Sequence, residues 1–291
     1  MERRRQTGLF SRRDTLTLLG ALAATGGATA AEPGILQPAT LDHVNLRVSN
    51  VTKSAEFYTA LFDTPLLRNP ALRARPNLPP GEAIFLKMGE GYLVVSTAFA
   101  PDPPGLDHYS VGIRNYEQGK LATKLNDSGI AAEARSADVW VRDPDRTFIQ
   151  LRTTGGWARQ SAAPMQRPNG GPSLSPLGMS RIVLRSADLA RGGDFYGRLY
   201  GTEVASAATS SSRTFGLGDS TLELISASAN SSVNSSPGID RMRIAIKDFN
   251  VETVGRVLRE RGIAAAGSVG AGLVRITDPD GIGIELTAMG S

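Results

Sequence analysis

The chain contains two histidines, His43 and His108, and no cysteine. Imidazole both moves protons near neutral pH and ligates metals through a neutral nitrogen. Without thiolates, a metal site here must be built from imidazole and oxygen donors. Each histidine follows the same dipeptide, in Leu41-Asp42-His43 and Leu106-Asp107-His108, and each opens an alternating apolar run. Alternate residues of a strand share a face, so His43, Asn45 and Arg47 lie together, opposite Val44, Leu46 and Val48. By the same parity His108 and Ser110 oppose Tyr109, Val111 and Ile113, while Phe148, Gln150 and Arg152 oppose Ile149 and Leu151. Two roles fit the histidines: ligands of one metal, or polar residues lining a metal-free binding cavity.

The elements that must position them repeat along the chain. Leu41 to Val48 is followed at Phe57-Tyr58 by a helical pattern, and Met179 to Arg185 is followed 138 positions later by Phe195-Tyr196 in the same arrangement. Gly105-Leu106-Asp107-His108 matches Gly238-Ile239-Asp240-Arg241, and Asp143-Pro144-Asp145 matches Asp278-Pro279-Asp280-Gly281. Three anchors in one order mark a duplication. Val51, Ala55, Tyr58 and Leu61 recur at helical spacing behind a cap at Ser49 or Asn50, as do Leu189, Gly193, Tyr196 and Leu199 behind Asp188. Gly129 and Gly262 stand where a helix should end. Asp-Pro-Asp predicts a type I turn opening a closing hairpin. The predicted unit is a strand, a helix and about three strands, repeated four times.

This pattern resembles the vicinal oxygen chelate superfamily of glyoxalases, bleomycin-resistance proteins, epimerases and extradiol dioxygenases. The resemblance rests on Leu41-Asp42-His43-Val44 before Phe57-Tyr58, on Leu106-Asp107-His108, and on Asp143-Pro144-Asp145 through Phe148-Ile149-Gln150-Leu151. In the second half it rests on Phe195-Tyr196 and on Asp278-Pro279-Asp280-Gly281 through Ile284-Glu285-Leu286. It implies an α+β fold of four βαβββ modules, arranged as two paired domains with curved mixed sheets. The expected domains span residues 40–153 and 179–288, joined by a Gly-, Pro- and Ser-rich linker at 154–178. The polar strand faces should surround a cavity.

The resemblance also implies a ligand set of His43, His108 and Gln150 for a divalent transition metal, Fe, Mn, Zn, Ni or Co. Metal-binding relatives usually carry glutamate at the closing-strand position; here it is Gln150, and Val94 in the first module. Asn45, Arg47, Tyr92, Ser110, Phe148 and Arg152 should line the substrate pocket. Glyoxalase-type isomerisation needs a carboxylate base beside the metal, and extradiol cleavage generally adds a further acid–base histidine; neither is visible. The expected function is a metal-dependent dioxygenase, isomerase or lyase acting on a chelating small molecule. The alternative is a metal-free protein that sequesters a small molecule.

In the second half the histidine positions hold Arg181 and Arg241, opposite Glu223 and Glu285. Arginine keeps its proton and cannot ligate a metal. The four residues serve either as two ion pairs replacing a lost metal site, or with Arg185 and Arg243 as a pocket for a carboxylate or phosphate.

Residues 1–30 read as an export signal. Basic residues ending at Arg12-Arg13 precede an uncharged run from Thr15, which closes on Ala28-Thr29-Ala30, a signal-peptidase pattern. The paired arginines resemble a twin-arginine signal, and about sixteen residues are too few to span a bilayer. This segment carries +3 of the formal +4, so the mature chain is nearly neutral and nucleic acid is not an expected partner. The expected partners are a small-molecule substrate or ligand and the twin-arginine machinery, with a homodimer as the assembly allowed for. The expected location is periplasmic or secreted.

Overall fold

The computed structural model describes residues 33–64, 66–68, 83–98, 103–155, 171–201, 203–204, 211–227, 236–268 and 272–290. Residues 1–30, expected to be an export signal, lie outside them, as do most of the expected linker and most of the Ser- and Asn-rich run 226–237. Glu32–Ser291 forms one compact unit. No helix of the described residues is long and apolar enough to cross a membrane.

The first half runs β1 (Pro38–Val48), α1 (Val51–Leu61), β2 (Leu66–Arg68), β3 (Ile84–Met88) and β4 (Gly91–Thr97). It continues with β5 (Gly105–Ile113), α2 (Gln118–Asp127), β6 (Ala132–Arg135), β7 (Asp138–Arg142) and β8 (Phe148–Thr153). These strands form one eight-stranded sheet, β2-β3-β4-β1-β5-β8-β7-β6. The order is a palindrome of two βαβββ modules that meet where β1 and β5 pair antiparallel. Each module closes by returning its last strand parallel to its first, β4 to β1 and β8 to β5. The second half runs β9 (Pro176–Ser186), α3 (Leu189–Tyr200), β10 (Ser212–Leu217), β11 (Ser220–Ser226), β12 (Gly238–Ile246), α4 (Val251–Glu260), β13 (Ala265–Ser268), β14 (Leu273–Thr277) and β15 (Gly283–Thr287). Its sheet, β10-β11-β9-β12-β15-β14-β13, has the same plan. The fold is α+β: two mixed curved sheets of paired βαβββ modules, as the sequence predicts.

Local chemistry sets the elements. The Asn50 side chain accepts from Lys53 N and starts α1; Asp188 accepts from Ala190 N and Arg191 N and starts α3. Gly129 and Gly262 follow α2 and α4 at positive φ, where a side chain would be strained. Asp143 O accepts from Arg146 N, and Asp278 O from Gly281 N, closing the turns before β8 and β15. Val44, Leu46, Val48, Tyr109, Val111 and Ile113 are buried in a core shared with α1 residues Tyr58 and Leu61 and with second-half residues. The third module differs from the expected unit: among the described residues only β10 and β11 follow α3. Within the expected linker, β9 starts at Pro176, and Leu174 binds the end of α1 through its N to Leu61 O.

The repeated motifs join the two halves reciprocally. The Tyr58 hydroxyl donates to Asp278 Oδ2 at 3.1 Å, and the Tyr196 hydroxyl to Asp143 Oδ2 at 2.8 Å. The other oxygen of each aspartate holds its own turn: Asp143 Oδ1 accepts from Asp145 N and Thr147 N, and Asp278 Oδ1 from Asp280 N and Ile282 N. Ser49 N donates to Asp280, and the Ser186 hydroxyl to Asp145. Each half thus seats its closing turn against the first helix of the other.

Candidate metal centre

The antiparallel register of β1 and β5 places His43 opposite Ser110 and Asn45 opposite His108. The two imidazoles are therefore diagonal neighbours on one face, and their Nε2 atoms lie 3.3 Å apart. The Nδ1 of His43 meets Asp42 Oδ1 at 2.7 Å, and that of His108 meets Asp107 Oδ2 at 2.7 Å. A carboxylate on Nδ1 keeps the proton there, so each Nε2 presents its lone pair to the other. Two imidazole nitrogens so placed can hold one cation between them. Two nitrogens at zinc-like bond lengths and a tetrahedral angle are themselves about 3.3 Å apart.

Strict alternation would put Asp42 and Asp107 on the face opposite their histidines. The β1–β5 register slips between Leu41 and His43, and again where Asn45 and Leu46 pass His108 and Leu106. The skipped residues are Asp42 and Asp107. These β-bulges re-aim the two carboxylates, and parity reasoning missed them. Burial lowers the pKa of His43, against the pull of Asp42 in the other direction, which favours the neutral, ligating imidazole. Burial pushes the Asp107 carboxyl up, but the hydrogen bond to His108 and the charges of His108 and Arg47 hold it below its ordinary value.

The sequence-predicted pocket residues gather here. Asn45 donates to Asp107 and to Ser96 Oγ, and Arg47 Nε lies 3.3 Å from Asp107. Across the strands, Tyr92, His43, Ser110, Gln150 and Trp140 form one row. Gln150 Nε2 donates to Asp138 Oδ2 at 2.6 Å, leaving the neutral amide oxygen as its only donor to a metal. Arg152 stands 3.7 Å from both Asp42 and Asp138. Among the described residues no three His, Asp or Glu side chains are grouped to hold a metal. The donor set is thus two oriented imidazoles, with an amide where a carboxylate would complete the site. Ser110 Oγ is fully buried and makes no hydrogen bond among the described residues, so a donor and acceptor stands free beside His43.

Aromatic rings wall this face. Trp140 packs edge-on against His108 at 5.1 Å, and Phe148 against Trp140 at 6.0 Å. Phe85, Tyr92 and Val94 form an apolar cluster separate from the main core. Tyr109, on the opposite face as its parity requires, is buried with its hydroxyl against Tyr200. Asp42, Asp107 and Asp138 are the site neighbours that sequence reasoning passed over. The repeated Asp-His dipeptide was the available signal for the first two.

The second half makes different contacts at the equivalent positions. Arg181 pairs with Glu223 at 3.0 Å, and Arg241 Nε with Glu285 Oε1 at 2.7 Å. Arg243 and Arg275 also bind Glu285, whose side chain is 0% exposed. Burial pushes that carboxyl up, but Arg241 and Arg243 outweigh it and hold it below the ordinary glutamate value. Asp240, at a β12 bulge, accepts from Arg185 at 2.6 Å and from Arg241.

No family of known sequences matches the chain, and no curated protein matches it. Solved structures do. A catechol 2,3-dioxygenase superposes with a TM-score of 0.64 at 15% identity, covering 87% of this chain and 88% of that one. The 2,3-dioxygenase LapB from Pseudomonas sp. KL28 gives 0.63 at 13% identity, over 90% and 94%. A Mn(II)-bound glyoxalase from Novosphingobium aromaticivorans gives 0.63 at 13%, over 87% and 83%. At such identities the likeness is one of architecture: the chain shares the fold of these dioxygenases and of this glyoxalase.

Proposed function

We propose that the first half is the site of a small-molecule metalloenzyme of the dioxygenase, isomerase or lyase type. The observation that carries this reading is the His43–His108 pair: two Nε2 atoms 3.3 Å apart, each imidazole with its Nδ1 against its own aspartate. The similarity to solved dioxygenases and to a Mn(II)-bound glyoxalase supports it. His43 and His108 would hold a divalent transition metal, with the Gln150 amide oxygen as a neutral third donor. Such an ion supplies a Lewis acid and lowers the pKa of a bound water. The chain's own residues do the rest. Asp42 and Asp107 orient the imidazoles, Ser110 offers a buried hydroxyl to a ligand oxygen, and Tyr92, Trp140 and Phe148 favour a flat apolar body on the substrate. A substrate with neighbouring oxygens could then chelate the ion.

Metal analysis of protein purified without added metal should find about one transition-metal ion per chain. His43→Ala and His108→Ala should each abolish it while the chain still melts cooperatively. A metal content far below stoichiometric in the unaltered protein, unchanged in both variants, would sink this reading. The second reading, a metal-free protein sequestering a small molecule, is favoured by the neutral third donor and by the lack, among the described residues, of a third His, Asp or Glu in the group. It predicts ligand binding that survives metal removal. Export by the twin-arginine route is part of the proposal; N-terminal sequencing of the mature chain should begin near residue 31, and Arg12→Lys with Arg13→Lys should block export.

A further inference from the structure

The equivalent faces of the two sheets are built from different groups. In the first half the row of Tyr92, His43, Ser110, Gln150 and Trp140 is flanked by three carboxylates, Asp42, Asp107 and Asp138, and two guanidiniums, Arg47 and Arg152. In the second half the register gives the equivalent row Thr221, Arg181, Arg243, Glu285 and Arg275. With Arg185 and Arg241, five guanidiniums there share three carboxylates, Glu223, Asp240 and Glu285. The excess is two positive charges.

This excess sits where it is costly. Arg181 and Arg243 stand directly opposite each other on antiparallel strands, where like charges repel. Glu285 is already shared among three guanidiniums. The Arg185 side chain is only 10% exposed, and its Nη1 has no hydrogen-bond partner among the described residues. Structural pairing alone would match the charges; here guanidinium donors outnumber the carboxylates that can receive them. Guanidinium forks bind planar oxyanions through two parallel hydrogen bonds, and they do so best where water is scarce.

We propose that this face of the second half is an anion site that takes a small molecule through a doubly charged oxyanion, a phosphate group or a pair of carboxylates. Two negative charges balance the face, relieve the Arg181–Arg243 opposition and offer acceptors to the donors that the three carboxylates leave over. The rim residue Arg275, 42% exposed, is the arginine a ligand meets first.

The test titrates inorganic phosphate and succinate separately into the full chain dialysed free of divalent metal, so that the first site cannot report. Chloride at matched ionic strength is the reference. Saturable binding of either probe at one site per chain, with a rise in Tm beyond that in chloride, is the expected result; which probe binds assigns the phosphate or the dicarboxylate class. Arg275→Gln should weaken it about tenfold, the loss of one charged hydrogen-bonding partner. Arg185→Gln should weaken it by at least as much. Should Arg185→Gln fail to fold, Arg275→Gln decides the matter alone. No saturable binding of either probe, or unchanged affinity in a folded Arg275→Gln protein, overturns the proposal.

Discussion

At the scale of single residues, the candidate metal centre depends on two aspartates that never touch the expected ion. Asp107 binds His108 Nδ1 while Asn45 and Arg47 hold Asp107 in place. Its folded pKa lies below the ordinary value. Asp107 therefore stays ionised across the range in which an imidazole ordinarily titrates, and it orients His108 wherever that ring is neutral. Asp107→Asn keeps the size of the side chain and removes the charge. Outer-shell changes of this kind cost about 10–100-fold in metal affinity, and a competition titration against a chelator of known strength should read that loss. Equal affinity in the variant would show that the carboxylate does not set the tautomer. The two histidines and the polar strand faces that carry them were legible from the sequence and strand parity; that these faces meet, and that Gln150 stands where glutamate is usual, was implied by the family resemblance. The carboxylates were not, because a bulge breaks the alternation on which parity depends.

At the scale of elements, the repeats gave the order of strands and helices, since each unit carries its own caps, turns and apolar period. They did not show how hairpin turns from one half press on the other. Gly218, at φ 78° between β10 and β11, lies so close to β1 that an added Cβ would fall 2.0 Å from Ala39 O. Gly89, at φ 59° between β3 and β4, meets Leu177 O in the same way. Both turns put backbone against backbone at the first strand of the opposite half, which only glycine permits. Gly218→Ala should cost about 2–4 kcal/mol, the sum of a left-handed conformation and a clash that neither backbone can relieve. Urea denaturation should show it as a lower midpoint with an unchanged slope. The closing turns offer the converse. Gly281 takes φ 82° in the second half, while Arg146 takes φ 70° at the matching place in the first. Arg146→Gly should stabilise the chain by about 0.5–1 kcal/mol, relief of left-handed strain less the entropy of the freer unfolded chain.

At the scale of the molecule, the Phe-Tyr and Asp-Pro-Asp anchors that revealed the duplication also fasten its products together. The sequence shows both motifs twice but cannot show that Tyr58 seeks Asp278, 220 positions away, and not the Asp143 of its own half. Burial raises the pKa of Asp278, against the opposing hydrogen bonds from its turn and from Tyr58; Asp143 behaves alike beside Tyr196. The sign follows. A carboxyl whose folded pKa is raised holds its proton more tightly in the native state. Its buried charge therefore costs stability at neutral pH, and the cost falls as pH drops through the folded value. The tyrosine bond runs the other way, since a hydroxyl binds a carboxylate more strongly than a carboxylic acid. Tyr58→Phe should accordingly cost about 1.5–3 kcal/mol at neutral pH, where Asp278 is charged, and about 0.5–1.5 kcal/mol once it is protonated. Tyr196→Phe should repeat the pattern. Urea unfolding of each variant against the unaltered protein at pH 7 and near pH 4 measures the difference. A deficit that does not shrink in acid would mean that the tyrosines act by packing alone, and that the charged turns do not join the halves. Glu285 supplies an internal contrast, because its folded pKa is lowered. Its contribution is complete above the ordinary glutamate value and is lost only as pH falls through the lower, folded one. Between neutral pH and that point, acid weakens the contribution of the tyrosine clasps while leaving the arginine-bound carboxylate of the second sheet ionised.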